Sequence, residues 1–549
     1  MIASARRSSG DGAEATARDH RDGRSGDRDE VRDRDGVRHR DGVRDRAGAT
    51  RLAVLALLLA CSTPNASPND GALRVVLPRE VAELDPRFVT DPYGLKVSRL
   101  LFASLVTIDP DTLEVVPDLA ESLNLVAAAP GATTTVYEAR LRPDLRFSDG
   151  SALTTRDVVA TFEALRDPRL GSVFARNYAR IDRVVAIDAR TVRFELDAPH
   201  ATFPTDLEMP IVRAEDAARR LDWRHTPPVG AGPYVLEAGS DSAHLVLRAR
   251  DDWHHGPVAH ARVRFDVVRD DNTRALRLLG GEADVALNAI PPILVPLFDD
   301  DPRFEVRTAA GIGTTYLGFH TERIPLALRE AIAHGIDRAS LVDAKLDGRA
   351  RVTDSWVPAN HWASIEIPAR AFDAARARAA IAALDDDLRA RRYVLRVSSD
   401  RFRVSLARAI AAMLADVGLN VDVRPSEPGT LIADLDEGRF DLCLLQVPEV
   451  IEPHVLSWFF GSDRVPGEGV GGANRWRLRD AELDAALERG RVSSDRATRV
   501  EAYAQAQRRL HATLPVLPLW QEDHVAVVRR DVAFEVPRDG RFGRLARAH

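Results

Sequence analysis

The chain has 549 residues, 45% of them hydrophobic, and a formal net charge of −7. That length supports two or three domains with full cores, and the acidic balance excludes a broad nucleic-acid-binding surface. Two cysteines, Cys61 and Cys443, exclude a disulfide framework, and no Cys-x-x-Cys spacing offers a zinc or redox site.

Residues 1–50 are rich in Arg, Asp and Gly, and the Asp-Gly-Val-Arg quartet at 35–38 recurs at 41–44. With so little apolar content this stretch is expected to be a disordered charged extension. It reads either as an interaction tail or, as we prefer, as sequence upstream of a translation start near Val43. Arg44, Arg46 and Arg51 then precede a nine-residue apolar run, Leu52 to Ala60. Nine residues are too few to span a bilayer but suit the core of a secretory signal. The run ends in Leu58-Leu59-Ala60-Cys61, which resembles a lipobox. Residues 51–61 therefore read as a lipoprotein signal with Cys61 as the lipidation site, and residues 62–71 as a polar linker. No other stretch resembles a membrane-spanning helix.

Farther along, residues 135–141, 181–187 and 191–197 read as antiparallel strands, the last two joined at Asp188-Ala189-Arg190. Residues 233–238 and 244–250 read as a further hairpin. Val263, Phe265 and Val267 predict a strand; Asp271 is expected to cap a helix carrying Leu276 and Leu279, and a turn at Gly280-Gly281 leads to a strand from Asp284 to Leu287. Pro325 starts a helix whose stripe is Leu328, Ala331, Ile332, Gly335 and Ile336. A strand–helix–strand–helix–strand series follows. Tyr393, Leu395 and Val397 alternate; Leu406, Ile410, Met413, Leu414 and Val417 share a helical face closed by Gly418; Leu419, Val421 and Val423 alternate again. Residues 430–437 predict a helix before a buried strand from Phe440 to Val447, in which Cys443 reads as a small hydrophobe. Such a series is expected to form a parallel sheet with right-handed crossovers. The sum is an α/β fold: two α/β lobes plus an extra, mainly antiparallel subdomain.

Catalytic signatures are absent: there is no GxSxG, HExxH or P-loop, and no GxGxxG after a strand. Gly311-Ile312-Gly313 reads as a β-turn or hinge. His254-His255 could contribute to a metal site, but adjacent residues on a strand face opposite ways, so a polar loop after Trp253 is preferred. No metal site and no cofactor are expected. Lys96 and Lys345 are the only lysines among 76 basic residues, an arginine preference that reads as codon bias in a GC-rich genome.

A series of ordered segments carries a family resemblance. It runs through Leu101-Phe102-Ala103-Ser104-Leu105, Pro117-Asp118-Leu119-Ala120-Glu121-Ser122 and Tyr137 with Leu141-Arg142-Pro143. It continues through Phe147-Ser148-Asp149-Gly150, Leu153-Thr154-Thr155-Arg156-Asp157-Val158 and Val229-Gly230-Ala231-Gly232-Pro233-Tyr234. Asp252-Trp253, Gly281-Glu282-Ala283-Asp284, Thr315 to His320, Arg329 to Ala333 and Pro515 to Leu519 complete it. Across about residues 72–535 the chain resembles bacterial extracellular solute-binding protein family 5, the oligopeptide, dipeptide and nickel binders of ABC transporters.

The resemblance implies a class II periplasmic-binding-protein fold that closes about a hinge on its ligand. The expected division is lobe I in residues 72–100, 223–312 and 501–549, the extra subdomain in 101–222, and lobe II in 313–500. It also implies a binding protein rather than an enzyme. The expected product is a monomeric, lipid-anchored periplasmic lipoprotein that delivers a peptide or peptide-like ligand to an ABC permease and binds no nucleic acid. Alternatives are a ligand sensor for a signalling partner, or a binder of a metal chelate, opine or oligosaccharide. Peptide binders of the family place an Asp after the strand that holds Gly438-Arg439-Phe440-Asp441; here the accompanying tryptophan is missing and Glu449 is the nearest acid. Glu449, Asn474, Arg475, Trp476, Tyr93 and Trp356 are the ligand-binding candidates, with Arg475 favoured for an anionic ligand.

Overall fold

The computed structural model describes residues 71–126, 134–447, 449–467 and 472–547. Cys61 and the segments expected to be extension and signal, with residues 62–70 of the linker, lie outside the described residues.

The first lobe is built on a seven-stranded sheet. In spatial order its strands are Phe304–Ala309, His524–Arg529, Val285–Leu287, Leu73–Leu77, Arg262–Val267, His244–Ala249 and Tyr234–Leu236. Leu73–Leu77 runs parallel to both of its neighbours. Val75 and Leu77 face one core cluster and Val76 another, so the strand is buried on both sides over the apolar run Val75 to Leu77.

The helix after Arg262–Val267 departs from expectation. Asp270 is its cap, accepting from Thr273 N–H at 2.8 Å, and Leu276 is 65% exposed while Ala275 and Leu278 are buried. The inward face includes Arg274, whose guanidinium donates to the carbonyls of Val268, Arg269 and Ala289. A buried arginine satisfied by backbone oxygens is invisible to apolar periodicity, which displaced the predicted stripe.

The second lobe holds a six-stranded sheet in the order Ala350–Val352, Val516–Glu522, Thr314–Phe319, Leu442–Val447, Arg392–Ser398 and Asn420–Ser426. The last three are mutually parallel, as the strand–helix series predicts, while Thr314–Phe319 pairs antiparallel on both sides. Helix Arg401–Asp416 buries Leu406, Ile410 and Leu414, and Gly418 follows with φ +99°. The stripe around Gly335 also packs as predicted: a Cβ there would lie 3.1 Å from Val417. The boundary expected at residue 500 is corrected. It would cut helix Arg496–Thr513, and Val516–Glu522 still belongs to the second sheet.

The third sheet is antiparallel: Ala120–Val126, Thr135–Leu141, Thr191–Leu196 and Ile181–Ala186. Helix Thr155–Arg166 covers it, with Phe162 edge-on to Phe194 at 5.0 Å.

The chain crosses from the first sheet to the second between Ala309 and Thr314 and returns through Asp523. These crossings touch, because a Cβ on Gly311 would fall 2.1 Å from the Glu522 carbonyl oxygen. Gly311→Ala must therefore spread the two crossings, at an expected cost of about 1–3 kcal/mol. Denaturant unfolding at unchanged slope checks it; wild-type stability would show that the crossings can part freely.

Candidate functional site

Where the two lobes and the third subdomain meet, charged side chains gather from four places. Helix Pro92–Leu101 begins at Asp91, whose side chain accepts from Gly94 N–H at 2.6 Å. Tyr93, Lys96 and Arg99 follow at intervals of three and so share one face of this helix. Glu208 comes from the segment after Phe203–Asp206, Asp539 and Arg541 from the C-terminal loop, and Glu449 from the loop after Leu442–Val447 in the second lobe.

Arg541 is the common partner. Its side chain is 8% exposed, and it pairs with Glu208, with Glu449 at 3.2 Å and with Asp539 at 3.6 Å. Arg99 also reaches Glu208, at 3.1 Å. Burial opposes the charge on Arg541, but Glu208, Glu449 and Asp539 outweigh it and raise its pKa. Burial likewise pushes the Glu449 carboxyl up, yet the guanidinium groups of Arg541 and Arg99 hold it below its ordinary range. Asp539 moves the other way: there burial dominates and its pKa is raised.

Lys96 is different. Each of the three carboxylates is paired with an arginine, and among the described residues the Lys96 ammonium forms no ion pair. It sits instead 5.5 Å from the Tyr93 ring centre and 5.7 Å from that of Phe542. Burial pulls it down to about 8, against the attraction of Glu449 and Asp539. Beside it, His524 is brought down to about 4 by burial and by Lys96, and is neutral at pH 7. Gly540 (φ +63°) makes room for the His524 ring, which a Cβ would meet at 2.5 Å. The arrangement is a ring of opposite charges held in pairs, with Lys96, among the described residues, outside those pairs.

Of the candidates read from the sequence, Glu449 and Tyr93 lie at this cluster. The others are placed elsewhere. Asn474 is fully buried and spends its amide on the backbone: Nδ2 donates to the carbonyls of Gly461 at 2.9 Å and Leu478 at 2.8 Å, and Oδ1 accepts from Leu478 N–H at 3.1 Å. Trp476 is fully buried against Gly318 and donates from Nε1 to Phe459 O at 2.9 Å. Arg475 pairs with Asp436 at 2.7 Å. Trp356 is 3% exposed, its ring centre 4.8 Å from those of Tyr316 and Phe460. Polar and aromatic residues in a loop resemble a ligand surface in sequence, but here they close the second core. Cys443 is buried, as read, and burial pushes its thiol up to about 12.

Lys96, Arg99, Glu208, Asp539 and Arg541 escaped the sequence reading. Only Lys96 carried a signal, as one of two lysines in an arginine-dominated chain. An open depression of about 670 Å³ is lined by Lys345, Arg401, Arg408 and their neighbours, and no member of the cluster borders it.

His254 and His255 fall in the polar loop read after Trp253, and because that loop is not a strand their rings need not face opposite ways. They lie in a turn, where Gly256 N–H donates to Trp253 O at 2.9 Å, and both rings aim the same way. Their Nε2 atoms approach Asp118 Oδ1 at 2.8 and 2.7 Å.

Two α/β lobes joined by paired crossings around a charged cluster define a two-lobed solute-binding protein. Residues 114–465 match the family described as bacterial extracellular solute-binding proteins, family 5 Middle. The chain belongs to this family. Di/tripeptide-binding protein 2 of Pseudomonas aeruginosa is 28% identical over 86% of this chain and 93% of its own length. Protein XP55 of Streptomyces lividans is 30% identical over 87% of this chain and 90% of its own. The crystal structure of NikA from Brucella suis in complex with Fe(III)-EDTA superposes with a TM-score of 0.76 at 23% identity, covering 87% of this chain and 99% of that one. The class II two-lobe fold is thus shown, and membership makes the chain an extracellular binding protein rather than an enzyme. No helix among the described residues is long and apolar enough to cross a membrane.

Proposed function

We propose that this chain captures peptides or peptide-like solutes between its lobes and delivers them to an ABC permease, as a monomer anchored through acylated Cys61. The observation that carries the ligand class is the pairing of opposite charges at the cleft. Lys96 offers an ammonium that has no ion-pair partner among the described residues, and Glu449 offers a carboxylate on the opposing lobe, held ionised by Arg541. A zwitterion with a carboxylate at one end and an ammonium at the other matches both, since charge-assisted hydrogen bonds are the stronger kind. The relative named as a di/tripeptide-binding protein supports the same class. Closure follows if the ligand stabilises the closed arrangement more than the open one.

A thermal-shift screen against dipeptides, tripeptides, nickel–histidine chelates and oligosaccharides tests the reading. At a hundredfold excess over Kd, a bound peptide should add about 2.7 kcal/mol of stability. Glu449→Gln should weaken a peptide with a free amine about tenfold while leaving its N-acetylated form unchanged. A response confined to chelates or sugars would sink the peptide assignment.

A further inference from the structure

We propose that Asp118, His254 and His255 form a binding site for a late first-row divalent metal ion of the zinc class, which staples the third subdomain to the first lobe. Asp118 lies between strands Val115–Pro117 and Ala120–Val126, at the base of the antiparallel sheet. The two histidines belong to the turn after His244–Ala249, the strand next to the edge of the first lobe's sheet. The three ligand atoms, one carboxylate oxygen and two imidazole nitrogens, all lie within 4.8 Å of one another. The imidazole rings stand 4.2 Å apart, and Trp253 supports both, with ring centres 5.8 and 5.0 Å away.

Two imidazoles converging on one carboxylate oxygen are also what hydrogen bonding alone can produce, so donor chemistry and spacing decide. Two neutral nitrogens and one carboxylate are the ligand set that zinc and its neighbours take in sites with an open position. Metal–ligand bonds of about 2.1 Å would separate the ligand atoms by roughly 3.0–3.4 Å. The present separations from Asp118 Oδ1, 2.8 and 2.7 Å, must widen by about half an ångström, and the two imidazole nitrogens, within 4.8 Å of each other, must settle in the same range, by side-chain rotations. The His255 side chain is 28% exposed, which gives an ion and its remaining water ligands a way in from solvent. None of the three residues takes part in the charged cluster at the cleft, so this would be a structural ion and not transported cargo.

The test is calorimetric titration of the untagged, chelator-stripped chain with zinc chloride. One saturable equivalent with micromolar or tighter affinity is expected. His254→Gln with His255→Gln keeps an N–H donor toward Asp118 but removes the metal-binding nitrogens; it should weaken zinc at least tenfold, with the metal-free melting midpoint showing that the fold is retained. Glu449→Gln should bind zinc as wild type does. Absence of saturable binding by wild type, equal affinity in the double variant, or a loss in Glu449→Gln matching that of the double variant would each overturn the site.

Discussion

Replacing Arg541 with methionine is expected to destabilise the chain by about 3 kcal/mol near pH 7.5, because removing one partner of a buried pair leaves the other charge uncompensated. Three carboxylates depend on this guanidinium: Glu208, Glu449 and Asp539. In the wild type Glu449 is held below its ordinary 4.5, so its contribution is fully present above about pH 4.5 and is lost on acidification through the lower folded value. Without Arg541, burial dominates and the Glu449 carboxyl rises. A carboxyl raised on folding costs stability as pH climbs above its unfolded value. The variant should therefore be less impaired at pH 5 than at pH 8, a trend opposite to that of the wild-type cluster. Denaturant unfolding at both values checks it. An equal loss at both would mean that packing of the arginine stem, and not charge pairing, holds these segments together.

Lys96→Met should weaken a carboxylate-bearing ligand by about thirtyfold or more, the scale of losing a desolvated charge pair. The charge is available because Lys96 rests against Tyr93 and Phe542 instead of an acid. Its pKa of about 8 in the free protein adds a signature. Affinity should be level below pH 8 and fall by up to tenfold per unit above it, since binding needs the ammonium and the bound anion raises its pKa. Isothermal titration between pH 6.5 and 9.5 with an N-acetylated peptide, which has no amine to titrate in this window, reads both effects. In the methionine variant the slope should vanish together with the affinity. A variant that binds as tightly as wild type would remove Lys96 from the site.

The order of strands and helices was legible from the sequence because each element carries its own short period. The parallel series from Arg392 to Val447 and the hairpin around Asp188 are set by residues close together in the chain. Family membership was legible for a related reason: turn-forming and packing motifs keep their order and spacing. Departures came where a buried polar group is satisfied by hydrogen bonds that apolar periodicity does not record. Arg274 turned a helix face by bonding backbone oxygens, and Asn474 closed a loop where a ligand contact was expected. The clearest case is Arg541, two of whose three acids lie 333 and 92 positions away. Such a pairing leaves no local period. Sequence alone determined the elements, the lobed class and the family of this protein. The tertiary structure decided which charges share the cleft, because Coulomb attraction and desolvation act through space and hydrophobic periodicity acts along the chain.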